Sequence, residues 1–317
     1  MKLKNYKTLI VVPVYEDREA SARLFREIAA LYKKDAFLLA VDDGSIRAPV
    51  EEEMLTDANL DGAIIRLRRN VGHQKAIAIG LSYLSQYVHH DHSIVVMDSD
   101  GEDLPASISQ LVHVLEGADV DIAVAQRRRR VETLKFKSAY VVYKLLFKLL
   151  TGRQINFGNF MAMKASGLKR LAAMQELPLH LAATALVSKL RIKPTIIDRG
   201  PRYAGRSKMN FVGLVLHAFR ALMVFAEDVL VRVGIVCALI ATLSVLFAML
   251  AVILKIIGFA TPGWFSVALG VLIIIFLQTG ALALMTLILT GIVRSDNTAG
   301  TIVFNDFIDT VIDVKND

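Results

Sequence analysis

An α/β fold with a mostly parallel sheet, followed by a pair of membrane-spanning helices, is the architecture that this sequence predicts. Short apolar, β-branched segments alternate with helical patterns over roughly the first two hundred residues, as in parallel sheets. Near the C-terminus, two long segments carry no charged residue. With 54% hydrophobic and 21% charged residues, the chain is too apolar for an ordinary soluble protein and too charged to lie wholly in a membrane.

The predicted strands end in polar turns. They lie at residues 8–13, 37–41, 63–67, 93–97 and 121–125, and helical patterns follow the first three. Pro13 cannot donate a ladder hydrogen bond, so the first strand is expected to leave the sheet there. In an open parallel sheet, ligands bind at the carboxyl ends of the strands. The residues that directly follow these strands are therefore the candidates for a functional site.

The turn after the fourth strand is acidic. Asp98, Asp100 and Glu102 follow the apolar run at alternate positions, which places three carboxylates on one side of the strand's end. Clustered oxygen ligands favour a hard divalent cation such as Mg²⁺ or Mn²⁺, together with a substrate phosphate. The alternative interpretation is an exposed acidic turn that caps the helix opening near Pro105.

Polar and turn residues also follow the earlier strands, at the same end of the sheet. They are Pro13, Tyr15, Asp17, Asp42 and Asp43. Acids that hydrogen-bond a base or ribose, beside acids that hold a metal on a diphosphate, would suit a nucleotide. Neither G-x-G-x-x-G after the first strand nor G-x-x-x-x-G-K-[ST] occurs, so dinucleotide-binding and P-loop folds lose their main support. A plain turn or helix cap is the alternative interpretation of residues 42–45.

Five motifs, in order along the chain, resemble those of family 2 glycosyltransferases with a GT-A fold. They are Val-Pro-Val-Tyr at 12–15, Val-Asp-Asp-Gly-Ser at 41–45, Asn-Val-Gly-His-Gln at 70–74, Asp-Ser-Asp-Gly-Glu at 98–102 and Arg-Tyr-Ala-Gly-Arg-Ser-Lys at 202–208. Within the family, the chain is most similar to dolichol-phosphate or polyprenyl-phosphate sugar transferases that carry a C-terminal membrane hairpin. The resemblance implies a GT-A catalytic domain, with a Rossmann-like and mostly parallel sheet, over residues 1–205.

The resemblance also implies roles for individual residues. The nucleotide-sugar would be bound by Pro13, Tyr15, Asp17, Asp42, Asp43, Lys75 and Asp98. The metal would be held by Asp98, Asp100 and Glu102, which with Asn159 form the implied catalytic set. The acceptor phosphate or the diphosphate leaving group would be bound by Arg127, Arg202, Arg206, Ser207 and Lys208. For the basic residues at 202–208, positive charge flanking a membrane helix is the alternative interpretation.

The chain departs from the family pattern at Asn159. Relatives usually have Gly-Asp-Phe here, with the Asp close to the acceptor, whereas this chain has Gly-Asn-Phe at 158–160. An amide takes no proton at neutral pH, so it cannot serve as a general base. A lipid monophosphate is already ionised and attacks without deprotonation, so the departure favours a phosphate acceptor. Otherwise another base is needed, for which His73 and Asp103 are the candidates.

The C-terminal third is predicted to lie at or in a membrane. Residues 206–229 have the pattern of an interfacial amphipathic helix, with an apolar side formed by Phe211, Leu214, Val215, Ala218, Leu222 and Phe225. The predicted spans, 230–256 and 264–293, each exceed the ~20 residues needed to cross the hydrocarbon core. The basic segment from Arg127 to about residue 150 predicts a second interfacial helix or, alternatively, a helix packed on the sheet.

Charge flanking the spans predicts their orientation. Lys and Arg concentrate before the first span and Arg294 follows the second, while the joining loop keeps Lys255. Both termini and the catalytic domain are therefore expected on the cytoplasmic side of the inner (plasma) membrane. Residues 294–317 would form an acidic cytoplasmic tail, which could pair with a neighbouring subunit of a homo-oligomer.

Together these features predict a metal-dependent, inverting glycosyltransferase. The expected donor is a nucleotide-sugar, with UDP preferred over GDP, and the expected acceptor is polyprenyl phosphate used in cell-envelope glycan synthesis. The alternatives are transfer to a hydroxyl of a lipid-linked saccharide or envelope glycan, and a non-catalytic membrane scaffold that binds a nucleotide-sugar. The net charge of +7 is assigned to contacts with anionic headgroups and phosphorylated ligands, and nucleic acid is not an expected partner.

Overall fold

The computed structural model describes residues 3–127, 144–203, 211–259, 261, 263–296 and 304–316. The strands are β1 (Thr8–Val14), β2 (Ala36–Asp42), β3 (Gly62–Leu67), β4 (Ser93–Val96), β5 (Ile122–Arg127), β6 (Met161–Lys164), β7 (Ile192–Ile197) and β8 (Ile308–Val314). The helices are α1 (Arg18–Tyr32), α2 (Glu52–Thr56), α3 (His73–Ser85), α4 (Ile108–Leu115), α5 (144–151), α6 (Ala165–Ala172), α7 (Leu181–Val187), α8 (Phe211–Met223), α9 (Ala226–Ile256) and α10 (Trp264–Asp296). Contacts divide them into two compact units, one with the sheet and most of the helices, the other with α5, α9 and α10.

The sheet is mixed but mostly parallel, in the order β7-β5-β6-β4-β1-β2-β3-β8. Strands β1 to β4 pair in parallel, as do β5 and β7, while β6 and β8 run against their neighbours. The predicted α/β class is thus confirmed. The carboxyl ends of β1, β2 and β4 lie side by side at one end of the sheet, and the turns that follow these strands carry the acidic motifs.

Burial on both faces explains why the central strands are apolar without alternation. Along β1, Leu9 and Val11 pack into one core layer, whereas Ile10 and Val12 pack into the other. Each side chain withdrawn from water contributes about 1.5–3 kcal/mol, so the long apolar runs favour a central position in the sheet. The polar residues are therefore confined to the ends of these strands, where the candidate site lies.

The C-terminal segment closes one edge of this sheet. Residues of β8 pair antiparallel with β3, for example Ile312 with Ile64, and the backbone N–H of Asn316 donates to Asp61 at 2.8 Å. The described part of the tail, which was predicted to be acidic and able to pair with a neighbouring subunit, pairs with its own chain. Its exposed acidic side chains, such as Asp309, suit an edge strand, because charge there opposes pairing with other chains.

The second unit is dominated by two long helices that pack on each other. Both α9 and α10 are long and apolar enough to cross a membrane by length and composition. Small buried residues of α9 recur at helical spacing and permit close packing; they are Cys237, Ala241, Ser244 and Ala251. An added Cβ at Gly234 would lie 2.7 Å from Oγ1 of Thr286 in α10, which shows how closely the two backbones approach. Large apolar side chains such as Leu239 and Leu277 face outward.

Candidate functional site

The acidic turn after β4 is organised by its own side chains. The carboxylate of Asp103, which is buried, accepts a hydrogen bond from the backbone N–H of Asp98 at 3.1 Å. Oδ1 of Asp100 accepts from the backbone N–H of Glu102 at 3.0 Å. Gly101 has a φ of +85°, a conformation that favours glycine. Asp103, one of the two alternative bases, therefore has a structural role in this turn.

Two arginines neutralise the acidic turn. Nη2 of Arg202 lies 2.8 Å from Oδ2 of Asp100 and 3.5 Å from Oε2 of Glu102, and Arg199 pairs with the same Glu102 oxygen. The backbone N–H of Gly200 donates to the carbonyl of Glu102. Arg202 was predicted to bind the acceptor or the diphosphate, whereas Arg199 was not predicted. Its sequence signal is weak, because a lone arginine after β7 has no motif context.

Tyr203 fastens the same segment to α1. Its hydroxyl donates to Glu27, its backbone N–H donates to the carbonyl of Asp100 at 2.9 Å, and the guanidinium of Arg23 lies 4.2 Å from its ring centre. A Cβ at Gly101 would approach the Tyr203 ring to 2.5 Å. Burial, followed by the hydrogen bond to Glu27, raises the pKa of Tyr203, so the phenol remains protonated and able to donate.

The chemistry of the acidic turn fits a hard divalent cation. Asp98, Asp100 and Glu102 bring carboxylate oxygens from alternate positions, and such oxygens are the ligands that Mg²⁺ and Mn²⁺ prefer. Within the described residues, however, no group of three or more His, Cys, Asp or Glu side chains is arranged to hold a metal ion. Arg199 and Arg202 contact carboxylate oxygens of Glu102 and Asp100 that a cation would use.

The two acids after β2 hold neighbouring loops in place. Asp42 accepts from the backbone N–H groups of Ser45 at 2.9 Å and Val50 at 2.8 Å. Asp43 accepts from Val71 at 2.7 Å and Gly72 at 3.0 Å, which ties the end of β2 to the start of α3. Burial raises the pKa of Asp43, in opposition to these hydrogen bonds, which lower it. Both acids therefore shape the crevice in which they were predicted to bind the donor.

The first motif contributes to the rim of this crevice. Pro13 is buried within β1, Asp17 is half-buried, and the Tyr15 ring is 43% exposed. Between them, the Glu16 carboxylate accepts from the backbone N–H groups of residues 46, 47 and 48, which lowers the pKa of Glu16. Sequence reasoning missed Glu16, although its place between two predicted site residues was a usable signal.

The side chain of Lys75 lies against an aromatic ring near the C-terminus. Its ammonium lies 3.7 Å from the ring centre of Phe307, next to the strand β8. Burial, followed by repulsion from Arg69, lowers the pKa of Lys75. This position does not support the predicted contact with the nucleotide-sugar.

A series of close polar contacts links α7 to the acidic turn through Asn159 and His73. The backbone N–H of Leu181 donates to Oε1 of Gln74 at 2.7 Å, and Nε2 of Gln74 donates to Oδ1 of Asn159 at 3.0 Å. Nδ2 of Asn159 lies 3.0 Å from Nε2 of His73, which is 3.2 Å from Oδ1 of Asp98. The loss of solvent around His73 lowers its pKa, but Asp98, Asp43 and Asp100 outweigh this effect, so the pKa is raised overall.

Helix α8 has one face on the α/β unit and one face in solvent. On the inner side, the ring of His217 packs 4.4 Å from that of His180, and Ala221 is buried. Burial, then repulsion from His73 and Arg220, lowers the pKa of His217. A Cβ at Gly72 would lie 3.8 Å from Nη1 of Arg220, so this guanidinium lies beside the start of α3.

The outer face of α8 is an exposed apolar stripe. It consists of Val212, Val215, Leu216, Phe219 and Met223, which recur at helical spacing. Of the residues predicted on the apolar side, Val215 belongs to this stripe, Ala218 and Leu222 are half-buried, and Phe225 is buried. Among the predicted residues of α8 whose side chains are described, Val215 is exposed, whereas Ala218 and Leu222 are partly covered by the α/β unit.

The remaining predicted residues are only partly described. The backbone of Arg127 lies at the end of β5, opposite Ile197. Arg206, Ser207 and Lys208 lie outside the described residues, as does most of the basic segment that follows Arg127.

Comparisons with known proteins identify the family to which the chain belongs. A family model described as "Glycosyl transferase family 2" matches residues 9–171. "Uncharacterized glycosyltransferase YkcC" of Bacillus subtilis is 28% identical over 294 residues, which are 89% of this chain and 86% of the relative. An undecaprenyl-phosphate 4-deoxy-4-formamido-L-arabinose transferase of Salmonella paratyphi A is 28% identical over 66% of this chain, and the match spans 64% of that enzyme.

Among solved structures, a glucosyl-3-phosphoglycerate synthase from Mycobacterium tuberculosis, in complex with Mn²⁺, UDP and glucosyl-3-phosphoglycerate, is similar with a TM-score of 0.52. It is 14% identical, and the match covers 72% of this chain and 81% of that chain. At this identity the likeness establishes a shared fold.

Proposed function

Because the chain belongs to glycosyltransferase family 2, we propose that it transfers a sugar from a nucleotide-sugar, with UDP preferred, to polyprenyl phosphate at the membrane surface. The observation that carries this proposal is the division of α8 into two faces. An outer stripe, with Phe219 60% exposed, is suited to lipid, while on the inner face His217 packs on His180, the residue before the Leu181 backbone that donates to Gln74. An acceptor with its chain in the bilayer and its phosphate at the surface would fit both faces. The arabinose transferase relative, named for an undecaprenyl-phosphate substrate, supports the same acceptor class.

The proposed nucleotide-sugar site is a crevice at the carboxyl ends of β1, β2 and β4. Tyr15 and Asp17 lie at its rim, and Asp42 and Asp43 fix its loops. Asp98, Asp100 and Glu102 would hold a divalent cation, which when bound supplies positive charge for the diphosphate of the donor. The structural neighbour with bound Mn²⁺ and UDP supports this assignment.

The chain's own residues would serve the transfer in three ways. Arg199 and Arg202 concentrate positive charge beside the acidic turn, where negative charge develops on the departing diphosphate. Asn159 has no basic function, which favours an acceptor that is already ionised, as a phosphate monoester is. Val14 and Met97, which precede the site residues Tyr15 and Asp98, are buried and would limit access of water, the competing nucleophile, from that side. Attack of the phosphate oxygen on the anomeric carbon, from the face opposite the leaving group, inverts that carbon.

The proposed location is the cytoplasmic face of the plasma membrane. Because β8 pairs with β3, the residues before α9 and after α10 belong to one folded unit. Two successive membrane crossings return a chain to its side of entry, so this connectivity fits a hairpin formed by α9 and α10. The excess of basic residues flanking the pair, relative to the joining loop, supports the cytoplasmic side.

The test uses the full chain in detergent with Mn²⁺ or Mg²⁺, undecaprenyl phosphate and a panel of UDP- and GDP-sugars. We expect nucleotide release together with a new glycolipid, both lost with EDTA. Asp100→Asn should lower turnover at least about a hundredfold while the protein remains folded. Asp91→Asn, an exposed acid outside the site, is the matched control and should keep full activity. Nucleotide-sugar binding without product from undecaprenyl phosphate would contradict the proposal and favour a hydroxyl acceptor or a scaffold.

A further inference from the structure

The direction of the Asn159 amide is fixed by the chain of hydrogen bonds behind it. The backbone N–H of Leu181, at the first position of α7, can only donate, so the Gln74 atom that faces it must be the oxygen. The amide nitrogen of Gln74 consequently faces Asn159, whose Oδ1 accepts at 3.0 Å. Gln74 is only 2% exposed, which leaves water little room to replace either contact. Asn159 must therefore present its nitrogen, and not its oxygen, on the other side.

That side faces the site. Nδ2 of Asn159 lies 3.0 Å from Nε2 of His73 and carries two hydrogens, of which His73 can accept one at most. A Cβ added at the preceding residue, Gly158, would meet no atom of the described residues within 4 Å. A ligand that binds beside Asn159 would meet the N–H groups of its side-chain amide. The His73 ring and the Asp98 carboxylate lie beyond this amide.

A hydrogen-bond donor at this position distinguishes two kinds of molecule that could receive the sugar. A phosphate monoester offers only acceptor oxygens at neutral pH, so an N–H group stabilises it and a carboxylate would repel it. A sugar hydroxyl needs a group that takes its proton, which a carboxylate can do and an amide cannot. We propose that Asn159 selects a phosphate acceptor: its N–H, oriented by Gln74 and Leu181, binds a phosphate oxygen, and its lack of basicity disfavours hydroxyls. This inference rests on the proposed transferase function.

Two substitutions at one position separate this role from a structural one. In Asn159→Asp, Gln74 can still donate to an oxygen, and a protonated His73 gains a charged partner, so the local hydrogen bonds are kept. In Asn159→Ala they are lost. A structural role therefore predicts that the Asp variant resembles the wild type more closely than the Ala variant does. Recognition of phosphate predicts the reverse order, because the Asp variant adds repulsion to the loss of the donor.

The experiment measures steady-state transfer to undecaprenyl phosphate by the full chain in detergent, with the donor that the panel identifies. We expect the KM for the lipid phosphate to rise about tenfold in Asn159→Ala, and further in Asn159→Asp, since a hydrogen bond to a charged group is lost. The KM for the nucleotide-sugar should stay unchanged. A lower lipid KM in Asn159→Asp than in Asn159→Ala would overturn the inference while leaving the proposed function intact. Wild-type protein that forms no product would overturn both.

Gln74 provides a second readout, because it would act through Asn159. Gln74→Leu should raise the KM for undecaprenyl phosphate by releasing the Asn159 amide to rotate. The same change made in Asn159→Ala should have no further effect on that KM, so the two substitutions are expected to be non-additive. Additive effects would show that Gln74 acts on acceptor binding independently, and the proposed orientation of Asn159 would be wrong.

Discussion

At the residue scale, arginine side chains of the same chain balance the negative charge of the acidic turn. Arg202 contacts both Asp100 and Glu102, and all three side chains are largely shielded from solvent. In water-poor surroundings, carboxylates left without a cation repel each other and lose stability. A divalent ion that binds these carboxylates must therefore compete with Arg202.

This competition predicts the effect of Arg202→Gln on metal-dependent stability. Without divalent ions, the variant should be less stable by about 1–2 kcal/mol, because Asp100 and Glu102 lose their partner. Saturating Mn²⁺ should raise its melting temperature more than it raises that of the wild type, since no guanidinium has to be displaced. Arg191→Gln, which removes a different arginine–carboxylate pair, is the control. Equal Mn²⁺ shifts in wild type and Arg202→Gln would contradict the predicted competition.

The pair formed by Asp121 and Arg191 predicts a pH dependence. Hydrogen bonds from Arg191 lower the pKa of Asp121 from 3.8 to about 2. Because the folded pKa lies below the unfolded one, the stabilisation is full above about pH 4 and is lost as the pH falls towards 2.

The measurement compares melting temperatures of wild type and Asp121→Asn between pH 7 and pH 2. At neutral pH the variant should be less stable by about 1 kcal/mol, a modest value because Arg191 is half-exposed. The difference should shrink below about pH 4 and vanish near pH 2. A difference that stays constant across this range would show that the Asp121 charge does not contribute.

At the element scale, α8 joins two environments through its two faces. On the inner face His217 packs on His180, and the outer face carries Leu216 and Phe219 in solvent. Neither face alone would explain the helix, since exposed large apolar residues at regular spacing are uncommon without a partner surface.

Polar residues on the outer face should therefore impair use of a long-chain lipid. For Leu216→Gln/Phe219→Gln, we expect the KM for undecaprenyl phosphate to rise about tenfold, because apolar area is no longer buried in the interface. Transfer to a short, water-soluble prenyl phosphate should stay unchanged. Ile46→Gln, which removes an exposed apolar side chain elsewhere, is the control. Equal losses with both acceptors would indicate damage to the catalytic unit rather than to lipid contact.

At the scale of the whole molecule, β8 protects the β3 edge of the sheet. Val314 is buried against the core, and Phe307 packs beside α3 under Lys75. Val314→Asp should destabilise the α/β unit by about 2–3 kcal/mol, since it buries a charge at a tightly packed edge. Val311→Thr, at an exposed position of the same strand, should have little effect. Melting temperature and size-exclusion elution test this, and a fully stable monodisperse Val314→Asp variant would show that β8 is dispensable.

The sequence predicted the parallel core and the acidic edge because burial on both faces leaves a strong apolar pattern in β1, β2 and β4. It did not predict β8, since alternating acids obscure the apolar pattern of a short edge strand. The role of Arg199 was also missed, because its partner Glu102 is distant in sequence and no local pattern connects them. The sequence also did not show which side of α8 packs on the α/β unit, because the packing surface belongs to other elements.

The pairing of β8 with β3 also constrains the order of events during biosynthesis. Asn316 donates a hydrogen bond to Asp61, 255 positions earlier, so the edge strand reaches its partner only when translation has passed α9 and α10. An emerging chain therefore leaves the β3 edge unpaired until α9 and α10 have been synthesised. Closing the sheet is a late step, which makes completion of the catalytic unit depend on the whole C-terminal segment.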